Sequence, residues 1–272
     1  MITETTTQTL LRKYSWETRF QEEHSLLPHE EFIKVSEIIQ TNFTQDFSFE
    51  GNIPWISFSN LLGLRKDIMK TDDDSVIGIV APPGKGKSTF TLSCARFLDK
   101  TFTNERTIFT MEQLKRFLKK ASLVYNQIKE ANSNGEKYSN PYSGRVVVID
   151  EGLYMLFSGD AGSKDGKIAT KLFSIIRALG IIFMINITNW KRISKGVKED
   201  RFKALFRIPV KGIVQFFSQA RISRIRVTKE SMEWPTPNFF EKIGKINHNC
   251  QFWKEYDNKK SSFLQVAIHD ID

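Results

Sequence analysis

The chain has 272 residues, of which 40% are hydrophobic and 26% are charged, a composition typical of a soluble globular protein. Its length fits one large α/β domain, or one domain with an appendage. No apolar stretch approaches the ~20 residues that a membrane-spanning helix needs, and the first residues lack the pattern of a signal peptide. Cys94 and Cys250 have no metal-type spacing, so we expect two reduced thiols in a cytoplasmic protein.

Charge is unevenly distributed along the chain, whose net charge is +9. Residues 1–50 carry four basic and nine acidic side chains, a net charge of −5. Residues 191–229, in contrast, carry twelve basic and two acidic side chains, a net charge of +10. A basic segment of this kind is the usual electrostatic footprint of a nucleic-acid-binding surface. The alternative interpretation is the solvated face of a basic protein.

Residues 1–70 predict a flexible or helical N-terminal extension. The start is polar and rich in Thr and Gln, and one or two weakly amphipathic helices follow. We expect these helices to pack on the core or on a neighbouring subunit. Two short apolar pieces, residues 53–58 and 61–64, come next, and residues 71–75 form the turn before the first core strand.

The segment Val76–Phe90 contains a P-loop motif. An apolar strand runs into a Gly/Pro turn and then into a predicted helix from Ser88 to about Leu98. Ala81 stands where the motif usually has its first glycine. The backbone N–H groups of such a turn, with a helix N-terminus behind them, form a concave site for a polyphosphate. The expected ligand is therefore ATP.

Two P-loop side chains have specific roles in this interpretation. Lys87 carries a charge that reaches the β- and γ-phosphates, and the Ser88 hydroxyl is a ligand for Mg²⁺. Thr89 adds a backbone N–H donor, whereas we expect Lys85 to be solvated rather than a second phosphate ligand. The predicted cofactor-binding residues are Pro83, Gly84, Lys85, Gly86, Lys87, Ser88 and Thr89.

A second motif lies at residues 145–152, where an apolar run ends in two acids. Such a run is typical of a central parallel strand, and open α/β sheets bind ligands at the carboxyl ends of their strands. We expect Asp150 to hold Mg²⁺ through water and Glu151 to polarise the attacking water. A separate catalytic Glu resembles the additional-strand class of P-loop NTPases, which hydrolyse ATP to do work.

The chain between and after these motifs predicts alternating strands and helices. We expect a short strand at residues 107–110, a helix from Met111 to about Ala131, a polar loop, and then the Asp-Glu strand. A mobile connection at 153–167, a helix at 168–179 and a buried strand at 180–189 follow. In the additional-strand class, a strand in this place ends in a polar sensor of the γ-phosphate. Asn189 is the candidate, with a simple turn residue as the alternative, and Asn186 is expected to satisfy backbone groups.

Three arginines flank or follow this strand. Arg177 precedes it, and Arg201 and Arg207 come after it. An arginine can neutralise the transition-state charge on the phosphates, so each is a candidate to complete the site of a neighbouring subunit.

Beyond residue 208 the pattern changes. Residues 211–218 and 221–227 predict paired strands, the second with one buried and one basic face, and a terminal helix is expected from Cys250 to about His269. We divide the chain into the extension (1–70), a P-loop ATPase core (71–210) and a C-terminal strand pair with a helix (211–272). The expected fold is α/β, with a central, mostly parallel sheet flanked by helices and a small strand-rich C-terminal extension.

The ordered motifs resemble the FtsK/HerA group of DNA-pumping ATPases over residues 75–210. They are the P-loop, the strand ending in Asp150-Glu151, an Arg before Ala-Leu-Gly180, a strand ending in Thr-Asn189, and the basic segment after it. Asn189 replaces the usual Gln, and Lys198 stands near the usual Arg. The small packaging or mobilisation ATPases of archaeal viruses and plasmids are most similar in character.

This resemblance implies a ring, usually of six subunits, with ATP at subunit junctions and double-stranded DNA in the channel. A capsid or other viral or plasmid protein is a further expected partner. The residues expected to grip DNA phosphates without reading sequence are Lys191, Arg192, Lys195, Arg221, Arg224 and Arg226.

Two other functions stay open. An AAA+-type loader or remodeller of a protein–DNA complex would carry a C-terminal helical lid with a second sensor arginine. A nucleotide-switched assembly protein would hydrolyse ATP slowly, and the hydrolysis would only set its state.

Overall fold

The computed structural model describes residues 49–71, 75–150, 177–193, 198, 201–228 and 231–269, apart from the side chains of 192 and 266–269. The predicted N-terminal helices, the connection at 153–167 and most of the helix at 168–179 lie outside these ranges. So do two predicted site residues, Glu151 and Lys195. Among the described residues, no helix is long and apolar enough to cross a membrane.

Strands and helices alternate through the first half of the chain, as the sequence predicts. The strands are β1 (Phe49–Glu50), β2 (Ser75–Val80), β3 (Thr107–Ile108), β4 (Val146–Ile149), β5 (Ile182–Ile187), β6 (Phe202–Val210), β7 (Ile213–Ser218), β8 (Arg226–Val227), β9 (Met232–Glu233), β10 (Phe239–Lys242) and β11 (Lys245–Ile246). Within the described ranges, the helices are α1 (Trp55–Thr71), α2 (Lys87–Leu98), α3 (Met111–Ser133), α4 (Gln219–Ile222) and α5 (Gln251–His269), and 3₁₀ turns lie at Asn104–Arg106 and Trp190–Arg192.

A seven-stranded sheet forms the centre of the fold, in the order β10-β7-β6-β2-β5-β4-β3. The five strands from β6 to β3 run parallel, and β7 and β10 add antiparallel strands at one side. Strand β5 lies between the P-loop strand β2 and the Asp150 strand β4. The predicted α/β fold of the additional-strand type is therefore confirmed.

Two hydrophobic cores cover the two faces of this sheet. In β4, Val146 and Val148 pack against α1, α2 and α5 on the first face, whereas Val147 and Ile149 pack against α3 on the second. Side chains alternate between the faces of a strand, so a strand buried on both sides must be apolar throughout. This explains why β4 is a continuous apolar run, and why β2 and β5 are apolar apart from Ser75 and Asn186, with every residue of the three strands buried.

Strand β6 is not predicted by the sequence. Its residue Pro209 cannot donate to a ladder, and prolines inside sheets are confined to edges and bulges. The register between β6 and β7 shifts between Arg207 and Val210, so Pro209 lies in such an irregularity. The hairpin then closes over Lys211 and Gly212, whose φ of 84° suits a tight two-residue turn.

The predicted strand at 221–227 is wrong. Residues 219–222 form the short helix α4 with Ile222 buried, and only Arg226 and Val227 are extended, paired with β9 rather than with β7. Ile222 and Ile225 are three positions apart, which is the spacing of a helical turn. Strand β7 instead pairs with β6 and β10, so the predicted C-terminal segment extends the core sheet. The domain boundaries themselves stay predictions.

The two short apolar pieces expected before the P-loop belong to one helix, α1. It is 17 residues long, and its N-terminus is capped by the buried carboxylate of Glu241 on β10. Glu241 accepts hydrogen bonds from the backbone N–H groups of Ile56 (2.8 Å) and Ser57 (3.0 Å) and from the Ser57 hydroxyl (2.7 Å). First-turn N–H groups have no partner inside a helix, so this carboxylate fastens α1 to the antiparallel end of the sheet.

Candidate nucleotide-binding site

The P-loop connects β2 to α2 with two glycines in left-handed conformation. Gly84 has φ 72° and Gly86 has φ 86°, and Gly86 is the N-cap of α2. An added Cβ at either position would meet nothing within 4 Å, so the backbone conformation, rather than lack of space, favours glycine. Lys87 begins the helix with only 6% of its surface exposed. The loop thus has the form that the sequence predicts for a polyphosphate site.

Asp150 lies directly after β4 and is fully buried. Its Oδ1 accepts hydrogen bonds from the Ser88 hydroxyl at 3.2 Å and from the Asn186 side-chain amide at 2.7 Å. These three residues come from β4, the start of α2 and the end of β5, so the carboxyl ends of three neighbouring strands meet here. Hydroxyl and carboxylate oxygens are ligands that Mg²⁺ prefers. Ser88 and Asp150 therefore fit the predicted metal site.

Asn186 has a role that sequence reasoning missed. Its amide N–H donates a hydrogen bond to Asp150, and its Oδ1 accepts one from the Thr91 hydroxyl at 2.5 Å. The same Thr91 hydroxyl lies 2.9 Å from the Lys87 carbonyl oxygen. The expectation that Asn186 satisfies backbone groups is wrong, because its side chain bonds to the side chains of Asp150 and Thr91. A polar residue within a fully buried strand was the available signal, since such a residue must find partners inside the fold.

Asn189, the predicted sensor, lies two residues beyond the end of β5. Its Oδ1 accepts a hydrogen bond from the Lys191 backbone N–H at 3.0 Å and caps the 3₁₀ turn at Trp190–Arg192. This contact is what a turn residue makes. The sensor role stays a prediction.

The second oxygen of Asp150 faces helix α5. Oδ2 accepts a hydrogen bond from the Tyr256 hydroxyl, and Lys260 Nζ lies 3.9 Å away in an ion pair. Tyr256 is 5% exposed, and the Lys260 side chain is 25% exposed. Tyr256 and Lys260 are four positions apart, so they share one face of α5. Their partner Asp150 is 106 residues from Tyr256 in the sequence. No sequence motif connects the two segments, so sequence reasoning did not find this contact.

The candidate finger residues lie at the opposite edge of the sheet from the chain's own P-loop. Arg201 directly precedes β6, whose Phe202 pairs with Val76. Arg177 lies in the last turn of the helix before β5, whose Ile182 pairs with Ser75. Strand β2 covers about 16 Å between Ser75 and the loop. Neither arginine is therefore placed to serve its own nucleotide site. Arg207 is engaged elsewhere, with Gln215 at 3.1 Å and stacked 4.6 Å from the Trp234 ring centre.

The predicted DNA-contacting residues occupy two places. Arg221 is half-exposed on α4, and Arg224 and Arg226 are exposed after it. Lys191 is half-exposed in the 3₁₀ turn. The Arg192 side chain lies outside the described atoms. Lys198 lies beside this turn, with Nζ 3.4 Å from the Lys191 carbonyl oxygen, and burial lowers the pKa of Lys198. The two groups are separated in the sequence by β6 and β7.

Strand order and loop geometry together identify the architecture. This is the fold of a P-loop NTPase. The sequence matches no protein-family model and no curated protein.

The solved structures that are similar to this chain include two of low identity. PCH-2 of C. elegans matches over 65% of this chain and 46% of its own, with 13% identity and a TM-score of 0.36. The FIGL-1 AAA domain in complex with ADP matches over 68% of this chain and 63% of its own, with 14% identity and a TM-score of 0.32. The match thus covers less than two thirds of either solved chain. Because both TM-scores are below 0.5, the fold assignment rests on the strand order.

Proposed function

We propose that the protein is an ATP-hydrolysing motor that moves or packages double-stranded DNA, acting as a ring with ATP at subunit junctions. The observation that carries the ATPase part is the contact of Ser88 and Asn186 with the buried Asp150 behind the P-loop. This arrangement brings together a phosphate cradle, a hydroxyl and a carboxylate at one edge of the sheet. Those are the groups that phosphoryl transfer from ATP needs.

Each of these residues has a defined part in the proposed reaction. The P-loop N–H groups and Lys87 hold the phosphates, with Thr89 as an added donor, and Ser88 and Asp150 hold Mg²⁺. Bound Mg²⁺ supplies charge neutralisation on the phosphate oxygens. Glu151, adjacent to Asp150 in the sequence, orients the attacking water and accepts its proton.

A ring is supported by the position of the candidate fingers. Arg177 and Arg201 lie at the edge of the sheet opposite the chain's own P-loop, so an arginine from either position would have to act on a neighbour's nucleotide. That arrangement requires at least two subunits in contact. It is also the geometry that the FtsK/HerA resemblance implies.

DNA as the substrate is supported by charge. The segment 191–229 has a net charge of +10, and its Arg224 and Arg226 are exposed. This segment begins four residues after β5, the strand that contains Asn186, so a change at the nucleotide has a short path to it. Phosphate contacts of this kind hold DNA without reading its sequence.

The remodeller alternative predicts a helical lid after the core. In the described part of residues 211–269, two antiparallel strands instead extend the sheet, and one long helix, α5, packs on its first face. This feature favours the motor over the remodeller. The switch protein has the same nucleotide site, and its slow hydrolysis without a response to DNA separates it from the motor.

The test is steady-state ATP hydrolysis with and without double-stranded DNA over a series of salt concentrations, with Lys87→Ala as the blank. The motor predicts turnover that DNA stimulates, and stimulation that fades as salt rises. ATP binding with little turnover and no response to DNA would support the switch protein instead.

A further inference from the structure

The two oxygens of Asp150 have different partners. Oδ1 contacts Ser88 and Asn186, which belong to the predicted nucleotide site, whereas Oδ2 contacts Tyr256 and Lys260 of helix α5. Rotation of the carboxylate about its Cβ–Cγ bond would turn its oxygens away from Ser88 and Asn186. The contact to Tyr256 opposes that rotation, because it holds Oδ2 on the side away from Ser88.

Tyr256 is itself held in place by its surroundings. Its ring contacts Phe109 at 6.2 Å and Trp253 at 6.1 Å between centroids. Both neighbours are buried, so the ring has little freedom to move. The hydroxyl therefore meets Asp150 from a fixed position, and a fixed partner can orient a carboxylate.

Helix α5 is anchored independently of Asp150. Lys259 Nζ donates to the carbonyl oxygens of Asn104 (2.7 Å) and Thr107 (2.6 Å), and the Asn104 side-chain amide donates to the Phe252 carbonyl oxygen at 2.7 Å. Burial lowers the pKa of Lys259. These bonds fasten the helix to the segment that enters β3, which pairs with β4. Docking of α5 and the position of Asp150 are thus mechanically connected.

We infer that Tyr256 is a positioning residue for Asp150, and that docking of helix α5 completes the Mg²⁺ site by fixing the plane of the carboxylate, with one oxygen beside Ser88. The inference rests on the proposed function, since it assumes that Ser88 and Asp150 hold Mg²⁺ at a bound nucleotide. Lys260 offsets part of the charge of the buried carboxylate from the same face of the helix. Because linkage is reciprocal, Mg²⁺ at this site must in turn stabilise the docked helix.

The test compares Tyr256→Phe with Tyr142→Phe in the full chain. Both remove one hydroxyl and keep the ring, but Tyr142 packs against Phe117 on the second face of the sheet. ADP binding is titrated at increasing Mg²⁺, and the bound metal is followed by the electron paramagnetic resonance of Mn²⁺. Thermal unfolding of each variant is measured alongside.

We expect Tyr256→Phe to bind ADP normally in the absence of divalent cation, because the P-loop is intact. The Mg²⁺ concentration that gives half of the metal-dependent gain in affinity should rise about tenfold, at the lower end of the range for residues that orient a metal ligand. The Mn²⁺ spectrum should change as well. Tyr142→Phe should match the wild type in all three.

A second measurement needs no variant. Hydrogen exchange of residues 251–265 in the wild type should slow with ADP and Mg²⁺ together, and less with ADP alone. Unchanged exchange, or wild-type metal dependence in a folded Tyr256→Phe, overturns the inference even if the variant unfolds at a lower temperature. If instead the wild type does not bind ADP, or if Lys87→Ala binds it equally well, the proposed nucleotide site fails together with this inference.

Discussion

The side-chain amide of Asn186 donates a hydrogen bond to Asp150 Oδ1 at 2.7 Å, linking the inserted strand β5 to the carboxylate at the end of β4. The carbonyl oxygen of the same side chain accepts a hydrogen bond from the Thr91 hydroxyl of α2. One buried side chain therefore joins the P-loop helix, the inserted strand and the predicted metal carboxylate.

Replacing Asn186 should affect metal use more than nucleotide binding. Asn186→Ala leaves Asp150 with one fewer donor, so we expect turnover to fall about 10- to 100-fold. It also leaves the Thr91 hydroxyl without this partner, so we expect the free energy of unfolding to fall by about 1–3 kcal/mol. ATPase assays over a Mg²⁺ series and urea unfolding measure the two effects. The companion variant is Asn189→Ala. Normal metal dependence in the first, with loss of turnover in the second, would contradict the role of Asn186 and support Asn189 as the sensor.

The sequence predicts best those parts of the fold whose structure depends on residues close together in the chain. The P-loop and the Asp150 strand each lie within a run of fewer than about 20 residues, and an apolar run with a Gly-rich turn has few alternative structures. Strand β6 escapes prediction because Pro209 argues against a central strand, and only the bulge in the finished sheet accommodates it. Helix α4 is mistaken for a strand because two isoleucines and a valine among arginines fit strand and helix alike.

The candidate site divides in the same way. Lys87, Ser88 and Asp150 are recognisable from motif spacing, and the structure brings Ser88 and Asp150 together. Tyr256 is not recognisable, because its contact with Asp150 depends on how α5 packs across the first face of the sheet. Asn186 lies between these cases, since its polarity inside an apolar strand signals a buried bond without naming the partner.

Glu151→Gln should separate binding from hydrolysis. The substitution keeps the size and polarity of the side chain but removes its ability to accept a proton, so ATP affinity should stay near that of the wild type while turnover is abolished. Calorimetric titration and a steady-state assay test the two parts, with Lys87→Ala as the variant expected to lose binding. Wild-type turnover in Glu151→Gln would rule out Glu151 as the base.

Asp99 predicts a loss of stability in acid. Burial alone would raise its pKa, but hydrogen bonds from Arg106 and Thr101, the charge of Arg106 and the Val146 backbone N–H lower the pKa to about 2, from 3.8. A carboxyl whose pKa is depressed in the folded state stabilises that state above its unfolded pKa, and the stabilisation is lost as pH falls from about 4 to about 2.

The size of this effect follows from the shift, and amounts to about 2 kcal/mol. Urea unfolding at several pH values should show that the wild type loses that much more free energy of unfolding than Asp99→Asn over this window. The variant should already be less stable at neutral pH, because Arg106 and Arg145 lose their partner. Parallel pH profiles for the two proteins would contradict the prediction.

Glu241 should matter for stability far more than other glutamates on nearby strands. Glu241→Ala leaves three donors at the start of α1 without their acceptor, so we expect the free energy of unfolding to fall by about 2–4 kcal/mol. The control is Glu233→Ala, an exposed residue of β9, which should change stability by less than about 0.5 kcal/mol. Chemical unfolding of both variants gives the comparison, and equal effects would show that the cap is not a major contact.

The basic residues Arg221, Arg224 and Arg226 of the segment 191–229 predict how DNA binding depends on salt. Replacing Arg221, Arg224 and Arg226 together by Gln removes up to three charged partners of the DNA phosphates. The slope of log affinity against log salt should therefore become shallower by about one for each phosphate that is no longer neutralised. Binding should weaken to a similar degree for unrelated DNA sequences, because side chains that bind phosphates do not read bases.

The matched control removes the same charge elsewhere. Lys115, Lys119 and Lys120 are exposed on α3, and their replacement by Gln lowers the net charge by the same three units without touching the segment 191–229. If DNA responds only to total charge, both triple variants will weaken binding equally, and the arginines have no special position. A shallower salt slope in the arginine variant alone locates the DNA-binding surface on this segment. Stimulated ATP hydrolysis should then fall in that variant while hydrolysis without DNA stays unchanged, because none of the three arginines belongs to the nucleotide site.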